Sequence, residues 1–390
     1  MMDEILQGLL FLLAMAALGY QLLAMWVLRA WRPVLTEADG VSLLAADETL
    51  PALSLLKPLH GDDGHLYACL RSFCLQDYPC YEIVAGVQDA DDAAIAVVQR
   101  LQREFPELDL RWVLTEEKTG RNPKVNNLTG ILGACKYDLL LISDADIVVG
   151  PHYLRQLLPQ LADPHTGVLT CLYRGLAEAN LASRLLASQI NSLFLPSVLV
   201  STRLGPNIFC GGATMALQRS TLQALGGLQR LADQLADDYW LGAHARQLGK
   251  ATILADYVVD TRVQEANFRV FYQHALRWAR TTHSVQPMGY RLAFFSYPLP
   301  LVTLLTPWLL LGSGWGGIIP LGMVLLLRLV YHRQIMHKLS ATDTWVIALL
   351  ADFVGLWIWF HGLFARQVAW RGAQFKVGAD GRLGGQDGAR

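Results

Sequence analysis

Asp144-Ala145-Asp146 closes the apolar run Leu139-Leu140-Leu141-Ile142-Ser143, so two carboxylates emerge together where a buried strand reaches a surface. Mg²⁺ and Mn²⁺ prefer hard oxygen ligands and keep waters and substrate phosphates in their shell, so one or two such carboxylates suffice for a metal–diphosphate pair. A solvated turn would use the same residues, and the neighbouring clusters have to decide. Asp89, Asp91 and Asp92 form an acidic loop after another strand-like run. There a carboxylate either caps the next helix or accepts from a uracil N3–H or a ribose hydroxyl. Asn122-Pro123-Lys124-Val125-Asn126-Asn127 opens a helix whose free backbone N–H groups, with the Lys124 charge, are suited to a diphosphate. Asp237-Asp238-Tyr239-Trp240 starts a further helical stretch, where a carboxylate serves as a cap or as a general base for an attacking hydroxyl. Gln273-His274-Ala275-Leu276-Arg277-Trp278 precedes a long apolar zone; Arg clamps phosphates bidentately, and Trp also anchors at membrane interfaces.

The elements that must position these groups alternate in character. Strand-like runs at residues 53–56, 81–87, 110–114 and 139–143 are separated by helical stretches at 65–75, 93–104 and 125–134. Such alternation implies an α/β domain with a mostly parallel sheet, whose ligands bind beyond the carboxyl ends of the strands. Lys57-Pro58-Leu59-His60, the acidic loop at 88–92 and Asp144-Ala145-Asp146 each follow a strand, so they are expected to converge on one crevice. The Gly-rich stretch 378–385 reads as disordered.

The 390-residue chain is 53% hydrophobic and only 17% charged, with a mean hydropathy of +0.30. That is too apolar for an ordinary soluble domain, and a membrane component is expected. Residues 5–28 carry no charge and are long enough to cross a hydrocarbon core. Asp3 and Glu4 before the run, and Arg29 and Arg32 after it, argue against a cleaved signal and place the following segment on the cytoplasmic side. Further spans are expected at 292–311, 316–330 and 344–364. Three crossings would put the tail outside, yet it carries Arg366, Arg371, Lys376 and Arg382. One segment is therefore expected to be interfacial, with 292–311 the suspect because of Pro298, Pro300 and Pro307. The resulting division is an anchor at 1–35, a central α/β domain at 36–290 after a polar linker at 36–49, membrane helices at 291–365 and a basic, Gly-rich tail at 366–390. Residues 185–204 read as an interfacial or a core helix. A net charge of −1 gives no support for nucleic-acid binding. The six cysteines show no C-x-x-C pair and read as free thiols.

In this order the motifs resemble the GT-A glycosyltransferases of the ceramide glucosyltransferase-like family, which share an Asp, D-x-D, Asp and (Q/R)-x-x-R-W pattern with cellulose and hyaluronan synthases. The resemblance spans roughly residues 51–278 and rests most specifically on Val87-Gln88-Asp89-x-x-Asp92, Asn122-Pro123-Lys124-x-Asn126-Asn127-Leu128 and Asp237-Asp238-Tyr239. It implies a GT-A nucleotide-diphospho-sugar transferase fold and an inverting displacement from a UDP-sugar. Asp89, Asp92, Lys124 and Asn126 would then serve the nucleotide, Asp144 and Asp146 a divalent metal (Mg²⁺ or Mn²⁺), and Asp238 the base. Arg277 and Trp278 would close over diphosphate and acceptor. His274 occupies the first position of (Q/R)-x-x-R-W, a departure in which it either joins the nucleotide-binding residues as a substitute donor or simply packs. The implied partners are the bilayer and a lipid acceptor. The bacterial branch that glycosylates bacteriohopanetetrol in hopanoid biosynthesis, with N-acetylglucosamine, resembles the chain more than ceramide glucosyltransferases do. That branch implies a multi-pass bacterial inner-membrane enzyme with a cytoplasmic site. A processive polysaccharide synthase would need more spans, and a UDP-sugar-binding protein without turnover would use the acidic clusters only as caps or cation sites.

Overall fold

The computed structural model describes residues 2–36, 50–116, 118–370, 373–378 and 380–386, so the linker expected at 36–49 lies, from residue 37 on, outside the described residues. Helix α1 (Met2–Ala30) and the short strand β1 (Val34–Leu35) lead into the central domain. There β2 (Leu53–Pro58), α2 (Leu66–Cys74), β3 (Tyr81–Val87), α3 (Ala94–Glu104), β4 (Asp109–Leu114), α4 (Pro123–Ala134) and β5 (Leu139–Ile142) follow the expected alternation closely. The chain continues through β6 (Ile147–Val148), α5 (Tyr153–Leu157), β7 (Thr166–Ala177), α6 (Leu181–Gln189), α7 (Leu195–Leu204), β8 (Met215–Gln218), α8 (Arg219–Ala224), α9 (Asp237–Gln247), β9 (Ala251–Val263) and α10 (Phe268–Val285).

These strands form one nine-stranded sheet, ordered β1-β9-β7-β8-β5-β2-β3-β4 with β6 on β9. Strand β8 runs antiparallel to both neighbours, whereas β5-β2-β3-β4 and β1-β9-β7 are parallel blocks. The central strands are buried on both faces, so they read as continuous apolar runs. Leu53, Leu55, Leu139 and Leu141 point to one core, Leu56, Leu140 and Ile142 to the other. Helix α4 starts where Asn122 accepts from the backbone N–H groups of Lys124 and Val125, with Pro123 in the first turn, a standard start signal. Residues 181–204 resolve into core: α6 and α7, joined by a π-helical turn at Ile190–Phe194, are mostly buried. All six cysteines are free thiols, four of them buried.

The apolar C-terminal region contains α11 (Pro287–Leu292), α12 (Pro298–Ser313), α13 (Ile319–Lys338) and α14 (Trp345–Phe364). Gly312, near the end of α12, lies against Gln7 near the start of α1. At the other end, Lys338 Nζ donates to the carbonyls of Arg29 and Trp31. Helix α12 therefore runs antiparallel to α1, and α13 returns parallel to it. Both ends of α14 then lie against the central domain. Asp343, just before it, pairs with Arg184 at 2.8 Å, and the Gly362 carbonyl lies 3.2 Å from His283 Nδ1. The basic tail that follows α14 therefore returns to the central domain, while α14, like α1 and the α12–α13 stretch, is long and apolar enough to cross a membrane.

The tail corrects a second expectation. Strands β10 (Gln367–Trp370), β11 (Ala373–Val377) and β12 (Leu383–Gln386) form an antiparallel sheet, so the stretch read as disordered is ordered wherever it is described. Val368, Phe375, Val377 and Leu383 bury one face of it against Leu235. Four apolar side chains, spaced for a strand rather than clustered, outweigh the glycine content.

Candidate active site

The crevice forms where β2 and β5 end, facing the N-terminus of α9 and one side of α10. The Asp144 backbone N–H donates to the Gly212 carbonyl, and the Gly212 N–H donates to Asp238 Oδ2 at 3.0 Å. One glycine thus bridges the D-x-D turn and the candidate base. A Cβ at Gly212 would lie 2.6 Å from Asp144 Oδ2 and 2.7 Å from Lys124 Nζ, so only glycine leaves that space open.

Lys124 sits at the centre of the acidic groups, 2.7 Å from Asp144 Oδ1 and 3.4 Å from Asp237 Oδ2. Burial opposes its charge, but the carboxylates of Asp144, Asp237 and Asp238 override that and hold its pKa above the usual lysine range. Burial would likewise raise Asp144; Lys124 prevails and keeps its carboxyl below the usual range. With 37% of its side-chain surface open to the crevice, Asp144 remains reachable by a ligand. Among the described residues no cation pairs with Asp146 in this way. Burial and the adjacent Asp144 charge push it up to about 6, although the Thr261 hydroxyl donates to it at 2.8 Å. Asp238 is also pushed up to about 6, first by burial and then by Asp237, while the Tyr239 N–H donates to its Oδ1.

Arg277 projects from α10 toward this cluster. Burial lowers its pKa, while Asp144 and Asp238 stabilise its charge, and the Trp370 ring of the tail lies 5.8 Å away. Trp278 packs against His274, with ring centroids 4.4 Å apart. His274 Nδ1 lies 2.8 Å from buried Glu265, so this position fixes α10 to the end of β9. Burial holds the His274 pKa below its usual value.

The structure gives other expected residues a positioning part. Asp92 accepts from the N–H groups of Gly61 and Ala94, capping α3 and fixing the loop after β2. Asp89 is exposed and accepts from the Asp91 N–H in the same turn. Asn126 accepts from the Gly120 N–H and donates to the Gly120 carbonyl, closing the loop before α4. Sequence reasoning took Lys57 only as one member of a polar cluster. It is fully buried, donates to Ser143 Oγ at 3.0 Å and to the Asp144 carbonyl at 2.8 Å, and lies over the Phe73 ring. Burial lowers its pKa to about 7. The available signal was a lysine inside an otherwise apolar buried strand, a placement that demands partners. Gly212 and Thr261 carried no comparable signal, because each acts through neighbours distant in sequence, on Asp238 and Asp146 respectively.

Among the described residues, no group of three acidic, His or Cys side chains is placed to hold a metal ion. The pair Asp144 and Asp146 nevertheless fits a divalent cation that takes its remaining ligands from phosphate and water. Two carboxylates held close together, one of them without a cation partner, are stabilised by such an ion.

A mixed α/β sheet with a D-x-D turn, a helix-start carboxylate and a facing arginine defines a glycosyltransferase of GT-A type. The chain belongs to glycosyl transferase family 21, whose sequence profile matches residues 9–383. It is 24% identical over 356 residues to "Ceramide glucosyltransferase 1" of Caenorhabditis elegans, covering 86% of this chain and 74% of that protein. It is 26% identical over 339 residues to an "N-acetylglucosaminyltransferase" of Rhizobium meliloti (strain 1021), covering 83% and 74%. Among solved structures it resembles a mannosyltransferase of Pyrobaculum calidifontis in complex with GDP-Man and Mn²⁺. The TM-score is 0.58 at 20% identity, over 90% of this chain and 99% of that one, a likeness of fold.

Proposed function

We propose that the chain moves a sugar from a UDP-sugar to a hydroxyl of a membrane lipid, by inverting displacement, with Asp238 as the base. The observation carrying this reading is the division of the acidic cluster. Asp144 and Asp146 form one pair on the D-x-D turn, and Asp238 faces them across Gly212 with a pKa near that of a working base. Asp238 would take the acceptor hydroxyl proton as that oxygen attacks the anomeric carbon. Arg277 and Lys124 supply positive charge where the diphosphate leaves; removal of such a group typically costs about 2.7–4 kcal/mol of barrier. Asp144 and Asp146 would hold the metal, which when bound neutralises charge on the leaving diphosphate.

The finer reading is N-acetylglucosamine transfer to bacteriohopanetetrol, in a bacterial inner membrane with the site facing the cytoplasm. It is supported by the motif resemblance and by the similarity to the Rhizobium N-acetylglucosaminyltransferase. The similarity to ceramide glucosyltransferases favours a second reading, glucose transfer to ceramide. Membranes containing the chain, incubated with either UDP-sugar, either lipid and Mg²⁺ or Mn²⁺, separate the two by mass spectrometry of the extracted lipids. Asp238→Asn is expected to abolish transfer while retaining UDP-sugar binding, whereas Asp144→Ala weakens metal-dependent UDP binding. Equal loss of binding in both would overturn this division of roles, and binding without any turnover in the parent chain would overturn the enzyme reading.

A further inference from the structure

The ends of α1 and α13 nearest the central domain enclose a cavity of about 1060 Å³, far from the acidic crevice in chemical character. Its lining includes the basic side chains Arg29, Arg333 and His337 and the apolar side chains Met25, Trp26 and Val330. Among the described residues, neither Arg29 nor Arg333 has an acidic partner. A third guanidinium approaches from α7, where Arg203 lies 5.0 Å over the Trp26 ring. The walls are fixed, since Gln334 donates to the Met25 carbonyl and Lys338 to those of Arg29 and Trp31.

Basic residues at helix ends are expected from membrane orientation alone. Orientation does not require a cavity lined by two arginines from two helices, with a third guanidinium stacked on the Trp26 ring that lines it. One turn back along α1 and α13 from Trp26 and Val330 the surface stays apolar and open: Leu22 is 52% exposed, Trp26 53%, Val330 47% and Leu326 63%. A soluble phosphate would match the charged wall and leave that surface bare. We infer that this cavity binds one anionic phospholipid of the bilayer, its phosphate between Arg29 and Arg333 and an acyl chain along Trp26, Val330 and Leu326. Basic pockets between membrane helices on the cytoplasmic side select anionic headgroups by this combination. The bound lipid would brace the joint at which Leu28, Tyr331 and Ile335 pack against Leu172 and Val258 of the sheet.

The test is native mass spectrometry of the full chain in detergent, with equimolar phosphatidylglycerol and phosphatidylcholine. A single phosphatidylglycerol adduct, favoured by about tenfold, is expected. The Arg29→Gln/Arg333→Gln pair should lose the preference, Arg29→Lys/Arg333→Lys should retain it, and Arg291→Gln, which removes a charge outside the cavity, should leave it unchanged. Should the double Gln variant not fold, Arg333→Gln alone, at an exposed position, gives the same reading with a partial loss. Equal adducts of both lipids, a preference that survives the Gln variants, or displacement of the lipid by inorganic phosphate at equal concentration would each overturn the inference.

Discussion

Replacing Gly212 by alanine tests the geometry of the crevice more sharply than removing a charged group. The added methyl would lie 2.6 Å from Asp144 Oδ2 and 2.7 Å from Lys124 Nζ, where ordinary contact begins near 3.4 Å. Both groups must therefore retreat by about 0.7–0.8 Å, close to the ~1 Å misplacement that costs on the order of 10²-fold in rate. That corresponds to roughly 2.7 kcal/mol of barrier. The backbone at Gly212 is not in the left-handed region, so alanine brings no conformational strain. Fold stability should change little, because the displaced groups border an open crevice. The assay is the initial rate of UDP release by the full chain in detergent, beside its thermal unfolding midpoint and UDP affinity. The expected result is a rate down by about a hundredfold with a nearly unchanged midpoint. A variant retaining a third or more of the parent rate, folded normally, would show that Asp144 and Lys124 need not hold this spacing.

With Asp238 as the proposed base, activity should fall as the pH drops through about 6, because that carboxylate must be charged and is held there by burial and by Asp237. Asp237→Asn removes the neighbouring negative charge and should move that acid limb to lower pH; an unmoved limb would assign it to another group. Truncation after Ala365 should lower kcat by at least about tenfold with less effect on UDP affinity. The tail pairs with the segment before α9 through Leu383 N–H to the Asp233 carbonyl and Leu235 N–H to the Gly381 carbonyl, and presents Trp370 to Arg277. Full activity of the truncated chain would refute that positioning part. Between α13 and α14, Arg328 and Asp352 form a buried bidentate pair at 2.6 and 2.8 Å. Arg328→Leu alone should destabilise by about 3–5 kcal/mol, with Asp352→Leu added recovering much of it, read by unfolding in detergent. A single variant as stable as the parent would contradict the pairing.

The alternation from β2 to β5 was legible because strands buried on both faces are short apolar runs, punctuated by polar clusters at their carboxyl ends. The same logic expected Lys57, the 88–92 loop and Asp144-Ala145-Asp146 to converge at the strand ends, whereas Lys124, Asp238 and Arg277 were singled out at helix starts and by the family resemblance. What stayed hidden depends on contacts between distant segments. Nothing local shows that Asp92 ties the loop after β2 to the start of α3, because its partner Gly61 lies 31 residues away. The direction of α14 is set by Arg184 and His283, and no hydropathy pattern contains that information. The tail misled through its glycines, since its order comes from a few apolar residues docking on Leu235.

The charges of the crevice are unevenly matched, and the mismatch has a direction. Asp144 has Lys124 directly against it and stays below the usual carboxylate range. Asp237 shares the same lysine. Asp146 and Asp238, which form no direct ion pair among the described residues, are the two driven up to about 6. In a low-dielectric crevice an unpaired carboxylate is costly unless it gains a cation or a proton. Asp146, beside Asp144 on the turn, is placed to gain a cation; Asp238, on the far side of Gly212, is placed to gain a proton. On the proposed function, these are two different unmet demands on either side of Gly212, one for a positive ion at the leaving diphosphate and one for the hydrogen of an attacking hydroxyl. A transfer reaction of this kind requires both to be met at once.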